Sequence, residues 1–183
     1  MRERTKKGIY IIPNLFTTAN MFSGFYAIIA AYNEDYFLAA VAILIATIFD
    51  GLDGKVARLT KTTSRFGVEY DSLADLVSFG MAPGLLAHFW ALNSYGRIGW
   101  IAAFLFVVCG ALRLARFNVQ VGTVESKYFV GLPIPAAASL LASTILLDLH
   151  FIGMDKEIIR PLVILIMTYV LAFLMVSNIR YRS

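Results

Sequence analysis

Four aspartates dominate the chemistry open to this sequence. Asp50 and Asp53 lie three positions apart, so on a helix they share a face. Asp71 and Asp75 lie four apart, stacked about 6 Å along a helix axis. Only a short polar stretch, Thr60 to Arg65, separates the helices that carry them, so those helices must be antiparallel neighbours and the two pairs can face each other. Four ionised carboxylates in a half-desolvated site repel; either they take up protons or cations neutralise them. With hard oxygen ligands and no Cys or His at matching depth, Mg²⁺, Mn²⁺ or Ca²⁺ is favoured over zinc. Four negative charges match two divalent ions, the arrangement that clamps attacking and leaving oxygens in phosphoryl transfer.

The residues between and beside the aspartates suit a phosphate-bearing ligand. Gly54 follows Asp53, Ala57 comes about one turn later, and Gly67 precedes Asp71 by one turn on the same face. Without bulk there, the helices leave room for a nucleotide or pyrophosphate against their backbones. Arg58, one turn beyond Gly54, can reach phosphate oxygens or brace a carboxylate.

The elements that position these residues are written in the distribution of charge. Of 183 residues, 59% are hydrophobic and 15% charged, well below the roughly one quarter of a soluble domain. Charge-free runs cover residues 8–33, 76–96, 128–147 and 161–179, each near the ~20 residues a helix needs to cross the hydrocarbon core. Two further apolar runs, 36–49 and 98–112, are shorter and end in charges. The reading is an all-α polytopic membrane protein in one domain, 1–183, with spans at about 14–32, 36–58, 67–91, 97–117, 132–150 and 157–179. Met1–Ile12 is expected to lie along the membrane surface as a short interfacial helix, with Pro13 in the first turn of span 1. Pro83, flanked by Gly80 and Gly84, should kink span 3 or admit a close neighbour, and the GxxxG pair suits packing within the bundle. Cys109, alone in an apolar run, reads as a small buried hydrophobe.

Orientation follows from the basic residues. Thirteen of the 16 fall on the side of the two termini, the 55–65 loop and the 113–127 connection; Arg97, Lys156 and Arg160 fall on the other. This asymmetry predicts that both termini and the acidic cluster are cytoplasmic. It also assigns the pI of about 9.3 to orientation and membrane-lipid contact instead of nucleic acid.

Asp50-x-x-Asp53-Gly54-x-x-Ala57-Arg58, eight residues, Gly67-x-x-x-Asp71-x-x-x-Asp75 resembles the full signature of the CDP-alcohol phosphatidyltransferases. The resemblance implies six transmembrane helices, a homodimer, and displacement of CMP from a CDP-linked lipid by an alcohol. It further implies that Asp50, Asp53, Asp71 and Asp75 hold two metal ions and that Asp75 is the general base. Pro13-Asn14-Leu15-Phe16-Thr17 is similar to the family's start of span 1, which implies a part for Asn14 and Thr17 in the CDP-lipid pocket, although Asn14 also suits capping. Gly54, Arg58 and Ser64 match positions that contact the nucleotide or phosphates.

The stretches Asp71–Gly80, Ala111–Asn118 and Gly131–Pro135, with the ending Leu174–Ser177, resemble the family's membrane-type phosphatidylserine synthases, which implies L-serine as acceptor. Free serine needs a cation for its carboxylate; Arg113 and Arg116 are the candidates, with Asn118 as hydrogen-bond partner. Another acceptor (glycerol phosphate, inositol phosphate, inositol or an amino-alcohol) fits the same chemistry. A divalent-cation transporter is a different class that intramembrane carboxylates could mark. Against it, Phe49, Ile48, Ile45 and Leu44 lie outward of Asp50, and Leu76, Val77 and Phe79 beyond Asp75: a pocket with a closed floor.

Overall fold

The computed structural model describes residues 11–60, 64–120, 128–153 and 158–182. Six helices in it are long and apolar enough to span a membrane. They are α1 (Ile11–Tyr32), α2 (Tyr36–Thr60), α3 (Arg65–Trp90), α4 (Arg97–Gln120), α5 (Ile134–Leu147, continued by a π turn Asp148–Ile152) and α6 (Ile159–Val176). The spans agree with the sequence reading to within a few residues. Helix α1 starts ahead of Pro13, so Asn14 lies inside the helix and is not its cap; the rest of the expected surface segment falls outside the described residues.

Small residues set how closely the helices approach. Ala27, Ala30 and Ala31 of α1 and Ala39, Ala40, Ala42 and Ala46 of α2 are all buried. Lipid tails are as apolar as the side chains, so close van der Waals packing, not transfer out of water, holds such a pair together. The tight connection places Glu34 at φ 64°, and the Asp35 side chain accepts from the Leu38 N–H at 3.3 Å to start α2. Large apolar residues such as Phe22, Ile48, Phe104, Ile166 and Phe173 point outward, as lipid-facing positions should.

Helix α3 departs from regularity in a specific place. Leu76–Met81 is a π turn, and the Ala82 N–H reaches back to the Val77 carbonyl. The distortion expected at Pro83 takes this form: a proline ring crowds the carbonyl four residues earlier, and one widened turn relieves it. Gly84 faces α4, where an added Cβ would sit 3.3 Å from the Ala103 carbonyl oxygen. The GxxxG pattern therefore serves packing inside the chain.

Two three-residue strands, β1 (Tyr128–Val130) and β2 (Arg180–Arg182), pair antiparallel and add a small non-helical element to the all-α fold. They tie the start of α5 to the end of α6. Gly131, at φ 81°, extends the tie by donating its N–H to the Ile179 carbonyl at 2.9 Å; a Cβ there would collide with the Met175 carbonyl.

At the end of the bundle away from the four aspartates, Arg160 Nε lies 2.6 Å from Asp148 Oδ2, both residues buried, and the guanidinium stacks 4.2 Å from the Trp90 ring. The sequence reading places these two charges at the outer ends of spans 132–150 and 157–179. The structure turns them inward, where a desolvated charge needs a partner. Tyr36 packs edge-on against Trp90 at 4.9 Å beside them.

Candidate active site

The aspartate signature of the sequence falls at one end of α2 and α3, and α1 closes it from a third side. Ser64 caps α3: its Oγ accepts from the Gly67 N–H at 2.9 Å. That start fixes the phase of the helix, bringing Asp71 and then Asp75 round to face α2. Ligand oxygens of Asp50, Asp53 and Asp71 lie within 4.8 Å of one another. Asp75 is buried next to them, near enough to interact electrostatically with Asp50 and Asp71.

Each carboxylate is held differently. Asp53 accepts from Thr17 Oγ1 at 3.0 Å and from the backbone N–H of Gly54. Asp75 Oδ1 accepts from Asn20 Nδ2 at 3.0 Å. Asp71 Oδ1 is buried with no hydrogen-bond partner. An acceptor stripped of water and given no donor is a costly arrangement on its own and a natural one for a metal ligand. Three carboxylates with oxygens within 4.8 Å of one another, one with an unmet buried oxygen, fit a divalent cation, and their all-oxygen chemistry suits a hard one.

The remaining sequence candidates fall into distinct places. Asn14 Oδ1 and Ser64 Oγ both border Gly67, at 3.6 and 3.1 Å from where its Cβ would be, so the three residues lie together where α1 meets the start of α3. Thr17, a candidate for the CDP-lipid pocket, spends its hydroxyl on Asp53. The side chains of Ala57 and Arg58 lie outside the described residues. Arg113 is half-buried, interacts electrostatically with Asp75 and Asp50, and has its Nε buried without a hydrogen-bond partner. Its predicted companions turn elsewhere. Arg116 donates to the Val176 and Ser177 carbonyls at 3.1 and 3.4 Å, closing the C-terminus of α6, where free carbonyls and the helix dipole favour a cation. Asn118 bonds to Ser72 Oγ at 3.0 Å and to Glu69 at 3.3 Å, joining α4 to α3.

Sequence reasoning passed over Asn20. The available signal was an amide in the middle of an apolar span, three residues from Thr17 and thus on the same face. Outward of the site the floor is apolar: Ile43, Ala46, Phe79 and Leu86 are fully buried, and the hydroxyls of Thr47 and Ser78 are taken by Ile43 and Asn20 carbonyls.

Residues 10–176 match the family model for CDP-alcohol phosphatidyltransferase. The chain belongs to this family. It is 46% identical over 178 residues to a CDP-diacylglycerol–serine O-phosphatidyltransferase of Helicobacter pylori, covering 96% of this chain and 73% of the relative. A protein of the same description from Methanocaldococcus jannaschii is 39% identical over 94% of this chain and 74% of its own length. An archaetidylserine synthase of Methanothermobacter thermautotrophicus is 34% identical over 99% of this chain and 73% of its own length. In this family member, then, the signature aspartates of α2 and α3 gather at one end of the bundle, with groups of α1 and α4 around them.

Proposed function

We propose that the chain transfers the phosphatidyl group of a CDP-linked lipid to the hydroxyl of L-serine, releasing CMP. The observation that carries this reading is the convergence of Asp50, Asp53 and Asp71 at one end of the bundle, with Asp75 beside them and the Arg113 charge near enough to interact with Asp75 and Asp50. Relatives described as making serine-linked lipids, bacterial and archaeal alike, point to the same acceptor.

In this reading Asp50, Asp53, Asp71 and Asp75 hold two Mg²⁺ or Mn²⁺ ions. When bound, such ions supply positive charge that neutralises the pyrophosphate and the departing CMP. Gly67, bordered by Asn14 and Ser64, and the backbone at Gly54 receive the nucleotide end of the lipid, with Ala57 leaving room and Arg58 reaching a phosphate. Asp75 takes the proton from the serine hydroxyl; the serine oxygen attacks the phosphorus that bears the lipid, the bond to CMP breaks, and CMP leaves with the electron pair. Arg113 receives the serine carboxylate. Arg116 and Asn118 shape that pocket from behind through α6 and α3. Holding the two reactants in line supplies most of the rate. The chain works as a homodimer with both termini and the site on the cytoplasmic side, which the 13-to-3 division of basic residues supports.

The test is CMP release by purified protein given CDP-lipid, Mg²⁺ or Mn²⁺, and one acceptor at a time. Release with L-serine alone is the expected result. Release only with inositol phosphate or glycerol phosphate overturns the choice of acceptor. Asp75→Asn should still bind CDP-lipid but not turn over; serine-dependent release by this variant overturns the base assignment.

A further inference from the structure

Asn20 is fully buried, yet its Oδ1 has no hydrogen-bond partner. In an apolar helix interface this is a poor choice for packing alone, because an isosteric leucine would fill the space without an unmet acceptor. What the carboxamide does make is one side-chain bond, Nδ2 to Asp75 Oδ1 at 3.0 Å. The same residue is anchored through its backbone: Ser78 Oγ donates to the Asn20 carbonyl at 2.9 Å. One turn further along α1, Gly24 rests directly on Ser78, with no space for a Cβ.

Ser78 lies in the π turn that starts immediately after Asp75. Thus α1 grips α3 at Asp75 itself and again inside the irregular turn behind it. The end torsion of a carboxylate is soft, so a buried aspartate beside a widened turn needs an external donor to hold its plane.

We infer that Asn20 is a positioning residue for Asp75: its amide N–H holds Oδ1 and so sets the direction in which the other oxygen meets the acceptor hydroxyl. The inference rests on the proposed role of Asp75 as base.

The two explanations of Asn20 predict opposite results for Asn20→Leu. Were the residue structural only, this variant would be as stable as the parent or more so, with unchanged turnover. Positioning predicts the same stability with kcat for serine-dependent CMP release reduced about 100-fold, as misplacement of a reacting group by about 1 Å does. KM for CDP-lipid should stay within about twofold of the parent. Unchanged kcat, or a loss confined to KM, overturns the inference. If Asn20→Leu does not fold, Asn20→Ser carries the comparison, since a helical serine turns its hydroxyl to its own backbone and leaves Asp75 without the donor; parental kcat in Asn20→Ser overturns the inference equally. Asp75→Asn in the same assay separates the two claims. Full activity there removes the base reading itself, whereas an inactive Asp75→Asn with a fully active Asn20→Leu removes only the positioning role.

Discussion

Thr17 Oγ1 donates to Asp53 Oδ2 across 3.0 Å, a bond between residues 36 apart in the chain that makes α1 part of the acidic centre. In the proposed reading Asp53 holds a metal ion, so the hydroxyl that orients it is felt in metal affinity. Thr17→Val keeps the shape and removes the donor; it should raise the Mn²⁺ concentration for half-maximal CMP release by about 10- to 100-fold. Thr17→Ser should stay close to the parent. A metal titration of both variants decides it.

Asp71 offers the sharpest contrast between stability and function. With chelator present, its buried, unpartnered oxygen faces two other carboxylates. Asp71→Asn removes a charge from that repulsion, so its thermal midpoint in EDTA should rise. The gain in midpoint that Mn²⁺ gives the parent should shrink or vanish in the variant, along with turnover. Melting curves in detergent with EDTA and with Mn²⁺ provide the comparison.

Arg113 and Arg116 should separate cleanly despite being one helical turn apart. Arg113→Ala is expected to raise KM for serine by 10-fold or more, about the effect of losing one charge-assisted contact. Arg116→Ala is expected to leave KM for serine unchanged and to lower thermal stability, because its bonds go to the Val176 and Ser177 carbonyls. Serine saturation curves beside melting curves test both.

The Asp148–Arg160 pair should matter for folding and not for turnover. Arg160→Met leaves Asp148 buried without its counter-charge and should cost about 3–5 kcal/mol, whereas Asp148→Leu combined with Arg160→Met should lie close to the parent. Among molecules that remain folded, kcat should be unaffected. Equilibrium unfolding of the two variants measures the difference.

Much of the fold was legible because membrane rules act locally. Four apolar runs near one membrane thickness and two shorter ones that end in charges located the six helices, and the spacing of Asp50, Asp53, Asp71 and Asp75 located the acidic end before any contact was known. What could not be read depends on which helices touch. The bonds from Thr17 and Asn20 join α1 to α2 and α3 across long separations, and neither residue announces its partner. Arg113 and Arg116 look equivalent in sequence; only the position of the α6 terminus diverts one of them. Pro83 announced a distortion but not its form, since a kink and a π turn both relieve the same clash. The charges of Asp148 and Arg160 sat at predicted span ends, where pairing inward and facing water leave the same pattern of letters.

The sealed floor beneath the aspartates has a consequence for the whole membrane. Among the described residues Ile43, Ala46, Phe79 and Leu86 close the site toward the far end of the bundle, so in the proposed reading substrates and products exchange through one face. Each new lipid therefore appears in the leaflet that supplied its precursor, and synthesis alone would expand that leaflet against the other. Balanced growth then requires a separate catalyst of transbilayer movement, and newly made headgroups begin life distributed unequally across the membrane.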